Sequence, residues 1–196
     1  MAVGVMGSAG GQIADKIKQQ MRQLGEEVGR RDYILVTGAA PGLPQESVIG
    51  AKSVQGLVVG ISPALNFREH VEKYKAPTAG YDLIVYTGSG LMGREIENIR
   101  TCDVVVFAGG RSGTLGEFAI AYDEGKVIGV LTGTGGVADH VHDLLKIINK
   151  ETGAILAFDD DPIQLLNKLE EAYRESVLPG YMALSNGHQP NGVLER

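Results

Sequence analysis

Two patterns of hydrophobic and polar positions alternate along the chain. Short, unbroken runs of Val, Ile and Leu are each followed by a longer stretch whose apolar residues recur three or four apart. VGVM precedes GQIADKIKQQMRQLGEEVG, ILVTG precedes PQESVIGAKSVQ, and DLIVYTG precedes LMGREIENIR. DVVVFAGG then precedes GTLGEFAIAYDEG, VIGVLTG precedes GVADHVHDLLKIINK, and AILAF precedes DPIQLLNKLEEAYRES. Only LVVGI leads elsewhere, into a long polar connection. Runs that are apolar throughout, rather than at every second residue, are strands buried on both faces, which implies a parallel sheet covered by helices on each side. The pattern predicts an α/β protein, a Rossmann-like doubly wound parallel sheet of about seven strands with helices on both faces. One such domain is expected over residues 1–176. The Gly-, Asn- and Pro-rich stretch 177–196 is expected to be a carboxy-terminal tail or an arm on a partner subunit.

Composition narrows the class. A chain of 196 residues with 43% hydrophobic content fits one sizeable core rather than two domains. With 18 basic against 24 acidic residues the formal charge is −6, and the two signs are interspersed. That leaves no basic footprint for nucleic acid or an anionic membrane surface, so neither is expected as a partner. A single cysteine, Cys102, cannot form an internal disulfide. The amino terminus has no basic stretch leading into a long apolar region, and no apolar run approaches the ~20 residues of a membrane span. A soluble, cytoplasmic protein is expected.

In doubly wound sheets ligands bind outside the carboxyl ends of the strands, so the residues directly after each run carry the most information. Here they are mostly glycine: Gly7 with Ser8 after the first run, Gly38 after the second, Gly88 and Ser89 after the fourth, Gly109 and Gly110 after the fifth, Gly133 and Gly135 after the sixth. Glycine permits close approach of the backbone to a ligand, and a following helix offers unpaired N–H groups and the positive end of its dipole. These features predict an anion site in which backbone donors supply the attraction that the net charge does not. Gly88-Ser89-Gly90-Leu91-Met92-Gly93 spells G-x-G-x-x-G, but the acidic residue that should follow about 20 positions later for a ribose hydroxyl is replaced by Ala108-Gly109-Gly110. No Walker-type phosphate loop occurs either.

The segment Gly109-Gly110-Arg111-Ser112-Gly113-Thr114-Leu115-Gly116-Glu117, together with Leu91-Met92-Gly93-Arg94, resembles the signature of the Lonely Guy (LOG) family, also called lysine decarboxylase-like. The resemblance runs from Val3 to about Tyr173. It implies a Rossmann-like fold, at least a homodimer, and either of two functions. Characterised members hydrolyse the N-glycosidic bond of nucleoside 5′-monophosphates to free base and ribose 5-phosphate. The branch that includes the molybdenum-cofactor carrier proteins binds phosphorylated ligands. The family pattern P-G-G-x-G-T-x-x-E falls on Gly109, Gly110, Gly113, Thr114 and Glu117, and the family's arginine falls on Arg94. Ala108 stands in place of the proline, two residues rather than one separate Gly110 from Gly113, and Gly93 and Glu95 flank Arg94 where cytokinin-activating members have Glu and Lys. These departures, with the segment Leu131 to Gly136, are more similar to the carrier branch.

Residue chemistry is consistent with that resemblance. Gly109, Gly110 and Gly113 are expected to wrap a phosphate with amide donors. Arg111 belongs to the same loop, and Ser112 and Thr114 are expected to add hydroxyl donors or to cap the helix. Glu117, one turn on, would orient hydroxyls, stabilise an oxocarbenium-like transition state or activate water, and Arg94 would clamp phosphate. The ligand is expected to be a phosphorylated small molecule, a nucleotide or a molybdopterin-type compound, with no cofactor required and no metal. Other candidates read as structural. His140 and His142 lie two apart and are poor joint metal ligands, Asp161 before Pro162 suits a helix cap, and Cys102 suits a buried thiol. The connection from Ser62 to Tyr81, carrying Arg68, His70, Lys73 and Lys75, is open to reading as a lid, a disordered loop or an oligomer contact.

Overall fold

The computed structural model describes residues 1–187. Seven strands, β1 (Ala2–Gly7), β2 (Ile34–Thr37), β3 (Leu57–Ser62), β4 (Leu83–Tyr86), β5 (Val104–Ala108), β6 (Val127–Leu131) and β7 (Ile155–Asp159), form one sheet. Every pairing is parallel, in the order β4-β3-β2-β1-β5-β6-β7. The chain works outward from β1 to β4, then returns to lay β5 against the free side of β1, with Gly7 opposite Ala108. The strand order therefore reverses at the carboxyl ends of β1 and β5, where a crevice is expected in this topology.

Among the described residues eight α-helices surround the sheet: α1 (Asp15–Arg30), α2 (Leu43–Ser53), α3 (Phe67–Glu72), α4 (Gly90–Thr101), α5 (Ser112–Asp123), α6 (Val141–Ile148), α7 (Pro162–Ser176) and α8 (Leu178–Gly187). Successive residues of a strand point to opposite faces, so each central strand feeds two cores. Val3, Val5, Val104 and Val106 pack with Met21, Leu24 and Val28 of α1, Val48 of α2 and Leu165, Leu166 and Leu169 of α7. Met6, Val105, Phe107 and Val130 meet Ile99 of α4, Phe118 of α5 and Val141 of α6 on the other face. This two-sided burial is what the unbroken Val/Ile/Leu runs require.

Helices α1 and α2 touch backbone to backbone. A Cβ added to Gly25 would fall 2.7 Å from the carbonyl carbon of Ser47, and one added to Gly50 would fall 2.7 Å from that of Arg22. The two glycines thus hold the crossing from both sides. On the same face Asp161 caps α7 as expected, its Oδ1 accepting from the amides of Ile163 and Gln164 at 2.8 and 3.0 Å. Cys102 is buried, and that burial pushes its thiol up to about 12.

Two stretches contain a helix that the sequence pattern does not predict. Ser62 to Tyr81 contains the short helix α3 and is pinned by His70, which is fully buried. Its Nδ1 meets Ser62 Oγ at 2.8 Å and its Nε2 meets the carbonyl of Pro77 at 3.0 Å. Both ring nitrogens are satisfied within the segment, a tie that periodicity cannot reveal. The expected tail begins as helix α8, docked by Tyr181 Oη, which donates to Asp103 Oδ1 at 3.1 Å. The remainder of that tail, 188–196, lies outside the described residues. Among the described residues no helix is long and apolar enough to cross a membrane.

Candidate functional site

A cavity of about 350 Å³ opens at the point where the strand order reverses. Its lining brings together Gly7 and Ser8 after β1, Gly38 after β2, Arg94 and Glu95 of α4, and Arg111, Ser112, Gly113, Thr114 and Glu117 at the start of α5. Nine of these ten were expected from the sequence. The tenth is Glu95, which had stood out only as a departure from the family pattern. Gly88, Ser89, Gly109, Gly110, Gly133 and Gly135 do not line the cavity.

At its floor lies a buried ion pair. Arg94 Nη1 donates to Glu117 Oε1 at 3.1 Å, with the two residues only 9% and 7% exposed. Gly38 makes room for the guanidinium, since a Cβ there would sit 2.7 Å from Arg94 Cζ. Arg94 Nε is buried without a hydrogen-bond partner, as are both amide atoms of Asn98 one turn along α4. A buried donor left unpaired is costly, so these atoms mark a place that receives a polar group. Burial pushes Glu117 up to about 7, against the pull of Arg94, and the charge of Glu95 adds to the rise. A carboxyl titrating near neutrality is able both to give and to take a proton. Burial also raises Glu95, again opposed by Arg94.

Most glycine amides at this edge are already engaged. Gly109, at φ +60°, donates to Thr134 Oγ1 at 2.8 Å, and Gly110, at φ +99°, donates to Ser8 Oγ at 2.7 Å. The carboxylate of Asp139 accepts from Gly133 at 2.7 Å and from Gly135 at 2.8 Å. Gly88 donates to the carbonyl of Ala64, and the Ser89 hydroxyl to Glu97 Oε2. The donors anticipated at Gly109, Gly110, Gly133 and Gly135 are thus satisfied by side-chain oxygens that the backbone pattern does not show. An Asp six residues after Gly133 is the one sequence signal for this arrangement.

The first turn of α5 is different. Its cap position is Arg111, which has no acceptor atom and makes no capping hydrogen bond, and the first intrahelical bond runs from Leu115 to the Arg111 carbonyl at 2.9 Å. Ser112, Gly113 and Thr114 line the cavity, and their first-turn amides have no side-chain cap. The capping role anticipated for Ser112 and Thr114 is not made. Thr114 instead packs against Gly110, where a Cβ would come within 2.5 Å of its Cγ2.

A model of the SLOG cluster4 family matches residues 1–165. An uncharacterised protein of Archaeoglobus fulgidus is 30% identical over 131 residues, spanning 67% of this chain and 80% of its own. Among solved structures, the structural-genomics target TM1055 superposes with a TM-score of 0.76 at 25% identity, over 87% of this chain and 98% of that one. A molybdenum cofactor binding protein from Rippkaea orientalis gives 0.69 at 25% identity, over 88% and 96%. A molybdenum cofactor carrier protein from Chlamydomonas reinhardtii gives 0.66 at 26% identity, over 87% and 98%.

Proposed function

Because the chain belongs to the SLOG cluster4 family, we propose that it binds a phosphorylated small molecule in the cavity beside β1 and β5, with the phosphate on the first-turn amides of α5. The observation that carries this reading is a convergence of unsatisfied donors: the open amides of Ser112 to Thr114 and the buried, unpartnered Nε of Arg94 line or underlie one cavity. A helix start supplies aligned N–H groups and a positive dipole end, which suits an anion in a protein of net negative charge. The relatives that bind or carry molybdenum cofactor support a small-molecule cofactor here. The ligand is a nucleoside monophosphate or a phosphorylated pterin of that kind. The donor set fits the phosphate of either one, with the amides holding its oxygens and Ser8 and Arg111 lining the same cavity.

One observation favours a second reading, hydrolysis of a nucleoside 5′-monophosphate to free base and ribose 5-phosphate. Glu117 is a carboxyl near neutral pKa, fixed by Arg94 in the same cavity. Ionised, it would stabilise positive charge developing on a sugar ring or take a proton from attacking water.

Ligand retained through native purification, identified by mass spectrometry, separates a pterin from a nucleotide. Calorimetry with a panel of nucleoside monophosphates then tests the phosphate position through Ser112→Pro. Proline is tolerated at the first helical position, and Arg111 before it is already extended at φ −129°, ψ −149°, so the variant removes one amide donor while keeping the helix. Binding at least ~10-fold weaker than in Ser112→Ala, which keeps the amide, is expected. Equal binding by the two variants would remove α5 as the anion site. Base release by the parent from any member of the panel would establish the hydrolase.

A further inference from the structure

Glu95 is unlike the other charged groups of the cavity. Its carboxylate lines the same space as Arg94 and Glu117, yet among the described residues it has neither an ion pair nor a hydrogen bond, while Arg94 is committed to Glu117. Its position is built rather than incidental. Oε1 lies 3.4 Å from where a Gly113 Cβ would be, and Oε2 lies 2.9 Å from where a Gly116 Cβ would be. Two glycines three residues apart on α5 therefore clear a trough along that helix, and the carboxylate of α4 lies in it.

The trough begins in the first turn of α5 and extends one turn further, a rise of about 4.5 Å from Gly113 to Gly116. A phosphate on the open amides would thus have a carboxylate within one turn of it. Two anions that close repel in a partly dry site, so the arrangement suits only a ligand that presents hydrogen-bond donors next to its phosphate. A second phosphate or a carbonyl at that spot would face an acceptor with nothing to donate. In a sugar 5-phosphate the groups at this remove are ring hydroxyls, and two adjacent hydroxyls match the two oxygens of one carboxylate. The 2-amino edge of a bound heterocycle lies beyond that reach.

We propose that Glu95 is a specificity-determining residue whose carboxylate accepts the hydroxyl hydrogens of a vicinal diol adjacent to the ligand phosphate, so that the cavity selects a ribose-type 5-phosphate over its 2-deoxy counterpart. The assignment rests on the proposed phosphate position at α5. It narrows the ligand to the nucleotide class, because hydroxyl recognition by a half-buried acceptor without another partner discriminates against an analogue that lacks the hydroxyl.

The test is calorimetry on the full chain with ribose 5-phosphate, 2-deoxyribose 5-phosphate and inorganic phosphate. The parent is expected to prefer ribose 5-phosphate by at least about tenfold, as loss of one charge-assisted hydrogen bond implies. Glu95→Ala is expected to bring the two sugar phosphates within about threefold of each other, and to bind inorganic phosphate as tightly as the parent or more tightly, since a like charge has been removed. Glu95→Gln, which preserves shape, is expected to lose most of the preference too. Equal binding of the two sugar phosphates by the parent, or a preference that survives Glu95→Ala, overturns the assignment while leaving the phosphate site standing. If none of the three probes binds the parent, the phosphate site falls and this assignment falls with it.

Discussion

Replacing Glu117 by Gln tests whether burial or ion pairing governs the cavity floor. Burial raises this carboxyl from its ordinary 4.5 to about 7 even though Arg94 pulls it down, so desolvation outweighs the pair. The sign of the resulting pH dependence follows directly. The folded state holds the proton more tightly than the unfolded chain, so the associated stability is present below about pH 4.5 and is lost as pH rises through 7. At about 1.4 kcal/mol per pKa unit, the parent should lose about 2 to 3 kcal/mol between pH 5 and pH 9 on account of this one group. Gln is an isostere of the protonated acid and has nothing to ionise. The variant should match the parent within about 1 kcal/mol at pH 5 and exceed it by about 2 to 3 kcal/mol at pH 9, an apparent stabilisation produced by breaking an ion pair. Urea unfolding of both proteins at pH 5, 7 and 9, at constant ionic strength, measures the difference. Parallel pH profiles, or a variant less stable than the parent at pH 9, would show that Glu117 stays ionised in the folded state and that the Arg94 contact more than repays its desolvation.

Two further substitutions probe the supports of the site. Gly50→Ala places a methyl against the backbone of Arg22 and should cost about 1 to 3 kcal/mol in urea unfolding despite alanine's better helix propensity; an unchanged midpoint would mean that α1 and α2 do not meet there. Gly38→Ala displaces the Arg94 guanidinium and strips Glu117 of its cation, so the Glu117 titration followed by carboxyl NMR should move further above 7, and an unmoved titration would show that Arg94 adjusts without leaving.

The fold was legible because the Val/Ile/Leu runs of β1, β5 and β6 are apolar at every position, and only two-sided burial explains that. α3 was not legible because its six residues are too few for a period and its anchor is a pair of ties from the His70 ring to Ser62 and Pro77, which depend on side-chain geometry rather than on spacing. Within the site, Arg94, Glu117 and the 111–114 turn were legible through motif spacing. Glu95 was visible only as a mismatch with a family pattern. What spacing could not show was which donors are free. Gly109 and Gly110 look like phosphate ligands until Thr134 and Ser8 are found on their amides, and those partners lie 25 and 102 residues away in the chain. Gly38 looked like a loop donor, and its steric part is to leave space for a guanidinium.

The pattern of capped and uncapped amides has a consequence for how a ligand is held. Ser8, Thr134 and Asp139 place oxygens on four glycine amides, which tie the loops after β1, β5 and β6 to one another. Loops tied in this way lose little further freedom when a ligand arrives, so less of the binding energy is offset by ordering. The same caps remove four competing donors from an edge that would otherwise attract anions indiscriminately. Under the proposed reading, affinity then comes from a short set of groups whose geometry is fixed in advance, the α5 amides and Arg94. Selectivity comes from two carboxylates, Glu95 and Glu117, that admit hydroxyl donors and repel additional negative charge. Such a site suits a phosphomonoester bearing hydroxyls better than a polyphosphate, whose second anionic group would have to lie against Glu95.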